Sequence, residues 1–223
     1  MHNQLPSLIR LQIEKCHQLV TSIPIAPDLF RMQLSDCDKV LLKQLPPRLC
    51  QLTIGGCHIL QSFVELLTSL LGGGLPTALN SLEIHGTIQL SRGHYYPSLE
   101  RLRIHDDCNS LWSFPLEFYQ KLKLLRVNAS ENLESLSISE GSHQDLTSLT
   151  QLDIWFCPNF VSFPCGGLFA PNLTKKFIHE CEKLKSLPEG MNTLLPSRVF
   201  AIVCLSKTLD KAQPPVLSST QGC

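Results

Sequence analysis

The chain has 223 residues, with 19 basic side chains against 19 acidic ones, and is 43% hydrophobic and 17% charged. That apolar content excludes a disordered chain, the zero formal net charge argues against a broad electrostatic surface for nucleic acid, and no apolar run approaches the roughly 18 residues of a membrane span. Arg10, Glu14 and Lys15 stand where a signal peptide needs an apolar block, so secretion is not expected.

Read from the N-terminus, the sequence repeats one pattern, L-x-x-L-x-I-x-x-C-x-x-L. It runs through Leu8, Leu11, Ile13, Cys16 and Leu19, then Leu29, Met32, Leu34, Cys37 and Val40, then Leu49, Leu52, Ile54, Cys57 and Leu60. The fourth copy, Leu79, Leu82, Ile84, Thr87 and Leu90, exchanges the cysteine for threonine. The fifth, Leu99, Leu102, Ile104, Cys108 and Leu111, holds one extra residue before its cysteine, and the sixth, Leu122, Leu125, Val127, Ser130 and Leu133, has serine there. The seventh is Leu149, Leu152, Ile154, Cys157 and Phe160; the eighth keeps Leu173, Ile178, Cys181 and Leu184 but places Lys176 where a leucine belongs. Repeats therefore start near 8, 29, 49, 79, 99, 122, 149 and 173, at the periods of a leucine-rich repeat solenoid. The longest interval contains Phe63, Val64, Leu66, Leu67, Leu70 and Leu71 at helical spacing, closed by Gly72-Gly73-Gly74, which predicts a short helix on the convex side.

Within each repeat the L-x-I segment alternates as a strand must, and eight parallel strands at about 4.8 Å spacing predict a sheet roughly 35 Å wide. One repeat alone cannot bury its apolar face, so neighbours share a continuous core. The fold expected is an α/β leucine-rich repeat solenoid, a horseshoe with a concave parallel sheet and an irregular or short-helical convex side. After the cysteine, Leu111-Trp112-Ser113-Phe114-Pro115, Phe160-Val161-Ser162-Phe163-Pro164 and Leu184-Lys185-Ser186-Leu187-Pro188 share a form whose proline suits an irregular return segment. The repeat domain is expected over 5–197. In 198–223, Arg198 replaces the expected leucine of a ninth repeat, Phe200, Ile202 and Leu205 can make a degenerate strand, and the polar remainder reads as disordered. This end is read either as a frameshift, retained intron or alternative exon, or as a degenerate cap, and neither end of the chain reads as a regular capping repeat.

The ten cysteines include no C-x-x-C, so the usual zinc and redox spacings are missing. Six occupy the repeat position just past the strand, where a small residue with a side-chain donor can bond a neighbouring turn; they are read as core filling rather than as metal ligands, nucleophiles or a disulfide framework. Cys50, Cys165, Cys204 and Cys223 have no assigned partner. His105 near Cys108 and His179 near Cys181 invite a Cys/His nucleophile reading, but the repeat pattern turns the histidines outward and the cysteines inward. No catalytic residue, cofactor or metal is expected. Asn128-Ala129-Ser130 and Asn172-Leu173-Thr174 match the glycosylation acceptor but overlap core positions.

The L-x-x-L-x-I-x-x-C-x-x-L-x-S-x-P units, exemplified by Leu173-Thr174 and His179-Glu180-Cys181-Glu182-Lys183-Leu184-Lys185-Ser186-Leu187-Pro188, resemble the leucine-rich repeat region of plant intracellular NB-LRR disease-resistance proteins of the coiled-coil class. The resemblance covers about residues 5–197. Secreted plant repeats are similar to a stricter L-x-G-x-I-P form, and F-box repeat proteins follow the cysteine with an I-T-D-x-G-L type sequence; both are absent here. The resemblance implies a cytoplasmic receptor segment that recognises a protein, either a pathogen effector or a guarded host protein, and that restrains a nucleotide-binding domain. This chain has no G-x-x-x-x-G-K-[ST], so it reads as a receptor fragment or truncated gene product that does not bind ATP. A substrate adaptor for ubiquitin ligation is the rival reading, and an enzyme using the cysteines or histidines the third.

The strand pattern also names a candidate protein-binding surface on the concave face: Arg101, Arg103, His105, Arg126, Asp153, Trp155, Phe177 and His179. Arg101, Arg103 and Arg126 form a basic cluster, and Trp155 lies beside Phe177. Arginine and aromatic residues dominate interface energetics. Lys176 leaves the register open, because it must either snorkel outward or slip its strand by one, which would turn Phe177 inward.

Overall fold

The computed structural model describes residues 5–56, 75–86, 96–105, 112–138, 146–164, 167–187 and the backbone of 199–203. Its strands are β1 (Arg10–Glu14), β2 (Thr21–Ser22), β3 (Arg31–Ser35), β4 (Val40–Leu41), β5 (Gln51–Gly55), β6 (Ser81–His85), β7 (Arg101–His105), β8 (Ser113–Pro115), β9 (Leu124–Asn128), β10 (Ser135–Ser137), β11 (Gln151–Trp155), β12 (Lys175–His179) and β13 (Val199–Val203). One sheet takes the order β1-β3-β5-β6-β7-β9-β11-β12-β13, all parallel, while β2 pairs with β4 and β8 with β10. The chain is a parallel β-solenoid of the leucine-rich repeat kind. Among the described residues the one helical segment is a 3-10 turn at Leu116–Phe118, and no helix is long and apolar enough to cross a membrane.

Pairing along the main sheet is one-to-one at every junction, as in Leu82↔Leu102, Leu102↔Leu125 and Leu125↔Leu152. The second and fourth residues of each strand thus stack in two apolar rows, and from β3 to β12 every described member of those rows is buried. Burying one such leucine or isoleucine favours the folded state by about 1.5–3 kcal/mol, so each added repeat stabilises the one before it. Two local devices set the register. Before each strand lies a tight turn closed by a main-chain bond three residues back, such as Leu29 N to Ala26 O (3.1 Å), Leu79 N to Pro76 O (2.8 Å) and Leu173 N to Ala170 O (3.0 Å). Pro6, Pro27, Pro47, Pro97 and Pro171 occupy the second position of that turn, where a fixed φ near −65° is favourable and no donor is needed. The repeat pattern of leucines alone did not reveal this second proline signal.

Past β1, β3, β5, β6, β9, β11 and β12 the backbone enters the left-handed region for one residue: Lys15, Asp36, Gly56, Gly86, Ala129, Phe156 and Glu180, with φ between 50° and 109°. This bend carries the chain from the sheet into the core, and its N–H extends the ladder to the next repeat, as from Ala129 to Trp155 O (2.9 Å) and from Phe156 to His179 O (2.8 Å). Glycine adopts this conformation freely, whereas a Cβ costs about 1–2 kcal/mol. At Gly56 a Cβ would also come within 3.2 Å of the Asp36 nitrogen.

The thiols sit one residue beyond this bend. Cys37 Sγ donates to Ser35 O (3.0 Å) and, one repeat back, to Ile13 O (3.4 Å); Cys181 Sγ lies 3.7 Å from both His179 O and Ile154 O. Cys157 donates to Trp155 O (3.3 Å), and Cys16, in the first repeat, is half-buried and reaches only Glu14 O (3.2 Å). Serine at this site differs from the expectation. Ser130 is fully buried, but its hydroxyl has no hydrogen-bond partner among the described residues.

The return segments are more regular than expected. Ser113–Pro115 and Ser135–Ser137 form a parallel pair, extended by a bridge from Ser135 to Ser162, with Phe114 and Leu136 turned inward between outward serines. Pro115 closes its strand, where a missing donor is tolerated. Tyr96, Tyr119 and Phe114 stack in series at 5.0 Å behind the sheet.

Lys176 keeps the register: it pairs with Leu152, Phe177 pairs with Asp153, and the strand does not slip. The lysine is carried into the leucine row at 1% exposure, and burial lowers its ammonium below the ordinary lysine value of 10.5. Within 198–223, where the sequence allows a degenerate strand through Phe200 and Ile202, β13 adds to β12. The expected helix at 62–71 with Gly72-Gly73-Gly74, the positions Cys57, Thr87, Cys108, Cys165, Cys204 and Cys223, and the tail from 204 lie outside the described residues.

Two predictions follow from these positions. Ala129→Gly relieves a left-handed alanine and should stabilise the chain by about 1 kcal/mol in urea unfolding, whereas loss of stability would remove the bend from the account. Lys176→Leu restores the apolar row and should raise stability by about 1–2 kcal/mol at pH 7. Since the folded-state pKa of Lys176 is lowered, the folded chain binds fewer protons than the unfolded one between that value and 10.5, and wild-type stability rises with pH through this window. The advantage of Lys176→Leu should therefore shrink as pH rises toward 10.5; an advantage that grows would contradict the burial.

Candidate protein-binding face

The odd positions of each strand point away from the core, and the one-to-one register arranges them in three rows. The middle row reads Gln12, Gln33, Thr53, Glu83, Arg103, Arg126, Asp153 and Phe177. The row on the C-terminal side reads Glu14, Ser35, Gly55, His85, His105, Asn128, Trp155 and His179. All eight residues singled out from the sequence lie on this face, over β7, β9, β11 and β12.

Their environment differs from a simple basic cluster. Arg101 is exposed at the margin, but Arg103 and Arg126 are register neighbours flanked on both sides by carboxylates, so the middle row alternates acid, base, base, acid. Arg103 Nη1 lies 3.7 Å from Glu83 Oε2. Arg126 donates through Nε (2.8 Å) and Nη2 (2.7 Å) to Asp153 Oδ2, which also accepts from Gln151 Nε2 (2.9 Å). Asp153 faces the right way, yet its side chain is 0% exposed beneath these donors. Arg126 is therefore accessible on this face, while Asp153 is covered. The Arg126 guanidinium carbon lies 5.1 Å from the Trp155 ring centroid, and Trp155 meets Phe177 edge-to-face at 6.5 Å. The favourable cation–π and edge contacts hold these flat groups in place before anything binds. His179, next in the row, takes an edge contact from Phe156 at 5.2 Å and lies 3.7 Å from Glu180. Its neighbour Cys181 is turned into the core, so the two occupy opposite faces.

A second grouping was missed from sequence because His105 lies a whole repeat away from Glu83 and His85. The His85 and His105 rings stack with centroids 4.6 Å apart and planes 8° from parallel, and both face Glu83: His85 Nε2 to Oε1 is 3.2 Å and His105 Nε2 to Oε1 is 3.5 Å. The contact from His105 is the largest influence on that carboxyl; together with Arg103 and His85 it outweighs burial and holds the Glu83 pKa down to about 2. Gly55 makes room for this arrangement, since a Cβ there would lie 3.1 Å from the His85 Cβ. The visible signal was the H at the same repeat position in Ile84-His85 and Ile104-His105, read together with Glu83.

The Arg126–Asp153 pair yields a test. Asp153→Asn removes the charge beneath Arg126 and should lower stability by about 1–2 kcal/mol while shifting the fluorescence of Trp155, with Trp112→Phe as the background that isolates it. Unchanged emission would mean that Asp153 does not position the guanidinium over the indole.

No family model matches the chain, and no solved structure matches it. Over 178 residues, 74% of the chain, the sequence is 34% identical to the Arabidopsis thaliana protein named "Putative disease resistance protein At3g14460". The chain spans 12% of the length of that relative. A parallel repeat solenoid with this similarity is a repeat region like that of a disease-resistance protein.

Proposed function

We propose that the chain is the recognition segment of a plant intracellular NB-LRR receptor of the coiled-coil class, a non-enzymatic module that works in the cytoplasm by holding a protein on its concave face. The partner is a pathogen effector, a guarded host protein or the receptor's own nucleotide-binding domain, which this segment restrains at rest. The observation that carries the reading is the cluster of Arg126, Trp155 and Phe177 on the open face of the sheet, held by Asp153 and ready to be covered. Aromatic and arginine side chains fixed in advance lose little entropy on binding and supply the strongest contacts of protein interfaces. The identity to a disease-resistance protein over most of the chain supports the immune context.

A photo-crosslinking residue separates this face from the rest of the surface. Placed at Phe177 in the chain expressed within a full-length receptor in leaf tissue, it should give discrete protein adducts in the resting state, in the stimulated state, or in both. Placed at Trp112, on the return segments and 54% exposed, it should give none of these. Equal adducts from both positions, or adducts only from Trp112, would move the binding surface elsewhere.

A further inference from the structure

We infer that Glu83, His85 and His105 form a binding site for one divalent transition-metal ion of the zinc class, bridging strands β6 and β7 on the open face of the sheet. The ligating atoms of the three residues all lie within 4.8 Å of one another. Four donors placed tetrahedrally at about 2.0–2.2 Å from zinc stand about 3.3–3.6 Å apart. The two imidazole-to-carboxylate separations, 3.2 and 3.5 Å, already match that spacing. Two imidazoles and one carboxylate are a recognised donor set for zinc, and they leave a fourth position for water or a partner's side chain.

The surroundings fit an ion rather than a plain ion pair. Two imidazoles stand 4.6 Å apart beside one carboxylate, and because their planes are within 8° of parallel, each ring would turn about its Cβ–Cγ bond to aim its Nε2 lone pair at a shared ion. Arg103 lies 3.7 Å from the second oxygen of Glu83, Oε2, while both imidazoles approach Oε1. That contact orients the carboxylate in the way outer-shell partners orient metal ligands. Access exists as well. His85 borders a cavity of about 490 Å³ that Gly55, Gly56, Gly86, Glu14 and Asp36 also line, so an ion can reach the site from the His85 side. Among the described cysteines, Cys37, Cys157 and Cys181 are buried on the opposite side of the sheet and form no part of the site.

Isothermal titration of the full chain with zinc chloride, in a phosphine reductant, tests the inference by comparing wild type with His85→Gln and His105→Gln. Each variant should lose one equivalent of zinc or bind it at least tenfold more weakly, with its unfolding midpoint in the absence of metal unchanged. Glu83→Gln should weaken the same equivalent. An isotherm that is the same in wild type and both histidine variants, including one showing no uptake in any of them, would overturn the site. If a variant does not fold, the wild type alone decides: zinc should shift the imidazole proton resonances of His85 and His105 and leave that of His17 in place, and an unshifted His85–His105 pair would overturn the inference equally.

Discussion

Every feature of this chain depends on successive repeats stacking without stagger. Because each strand pairs residue for residue with the next, a side chain at a given repeat position is fixed beside the same position in the neighbouring repeats. In the apolar rows this turns modest individual burials into one continuous core. On the open face it turns separate polar residues into ordered rows, so that two arginines from β7 and β9 meet, two carboxylates flank them and two histidines stack. The cluster of Arg126, Trp155 and Phe177 and the Glu83, His85 and His105 group are consequences of register rather than of local sequence.

The register holds even where the sequence works against it. Lys176 sits in a leucine row at 1% exposure, and a slip by one residue would have released it. Such a slip would also turn Ile178 out of the core and move Phe177 into it, and it would break the pairing with β11 on one side and β13 on the other. A left-handed residue after a strand follows the same logic. Lysine, aspartate, alanine, phenylalanine and glutamate all accept a conformation that suits glycine, because the turn into the core and the N–H bond to the next repeat fix it from both sides.

Much of this was legible in the sequence. The spacing of leucine, isoleucine and cysteine placed the main strands and identified the outward residues, since period-two alternation leaves no freedom once one face is apolar. The inward thiols and their carbonyl bonds followed from their place in the pattern. What escaped was either backbone conformation or a matter of pairing across repeats. The bend at Ala129 or Phe156 has no side-chain signature, and the strands at Ser113–Pro115 and Ser135–Ser137 arise because an inward apolar residue, Phe114 or Leu136, stands between outward residues in both segments. Arg103 and Arg126 read as a basic cluster because their carboxylate partners lie a whole repeat away, and the burial of Asp153 under Arg126 depends on rotamers that spacing does not specify. The Glu83, His85 and His105 group was overlooked for the same reason: metal-ligand spacings are sought along a chain, whereas a solenoid assembles them across it.

The stacking itself is open to direct measurement by mapping nuclear Overhauser contacts between the amide and α protons of adjacent strands. The account predicts an unbroken one-to-one series, with Leu125 against Leu152, Leu152 against Lys176 and His85 against His105. A series displaced by one residue at any of these junctions, or antiparallel contacts between them, would contradict it.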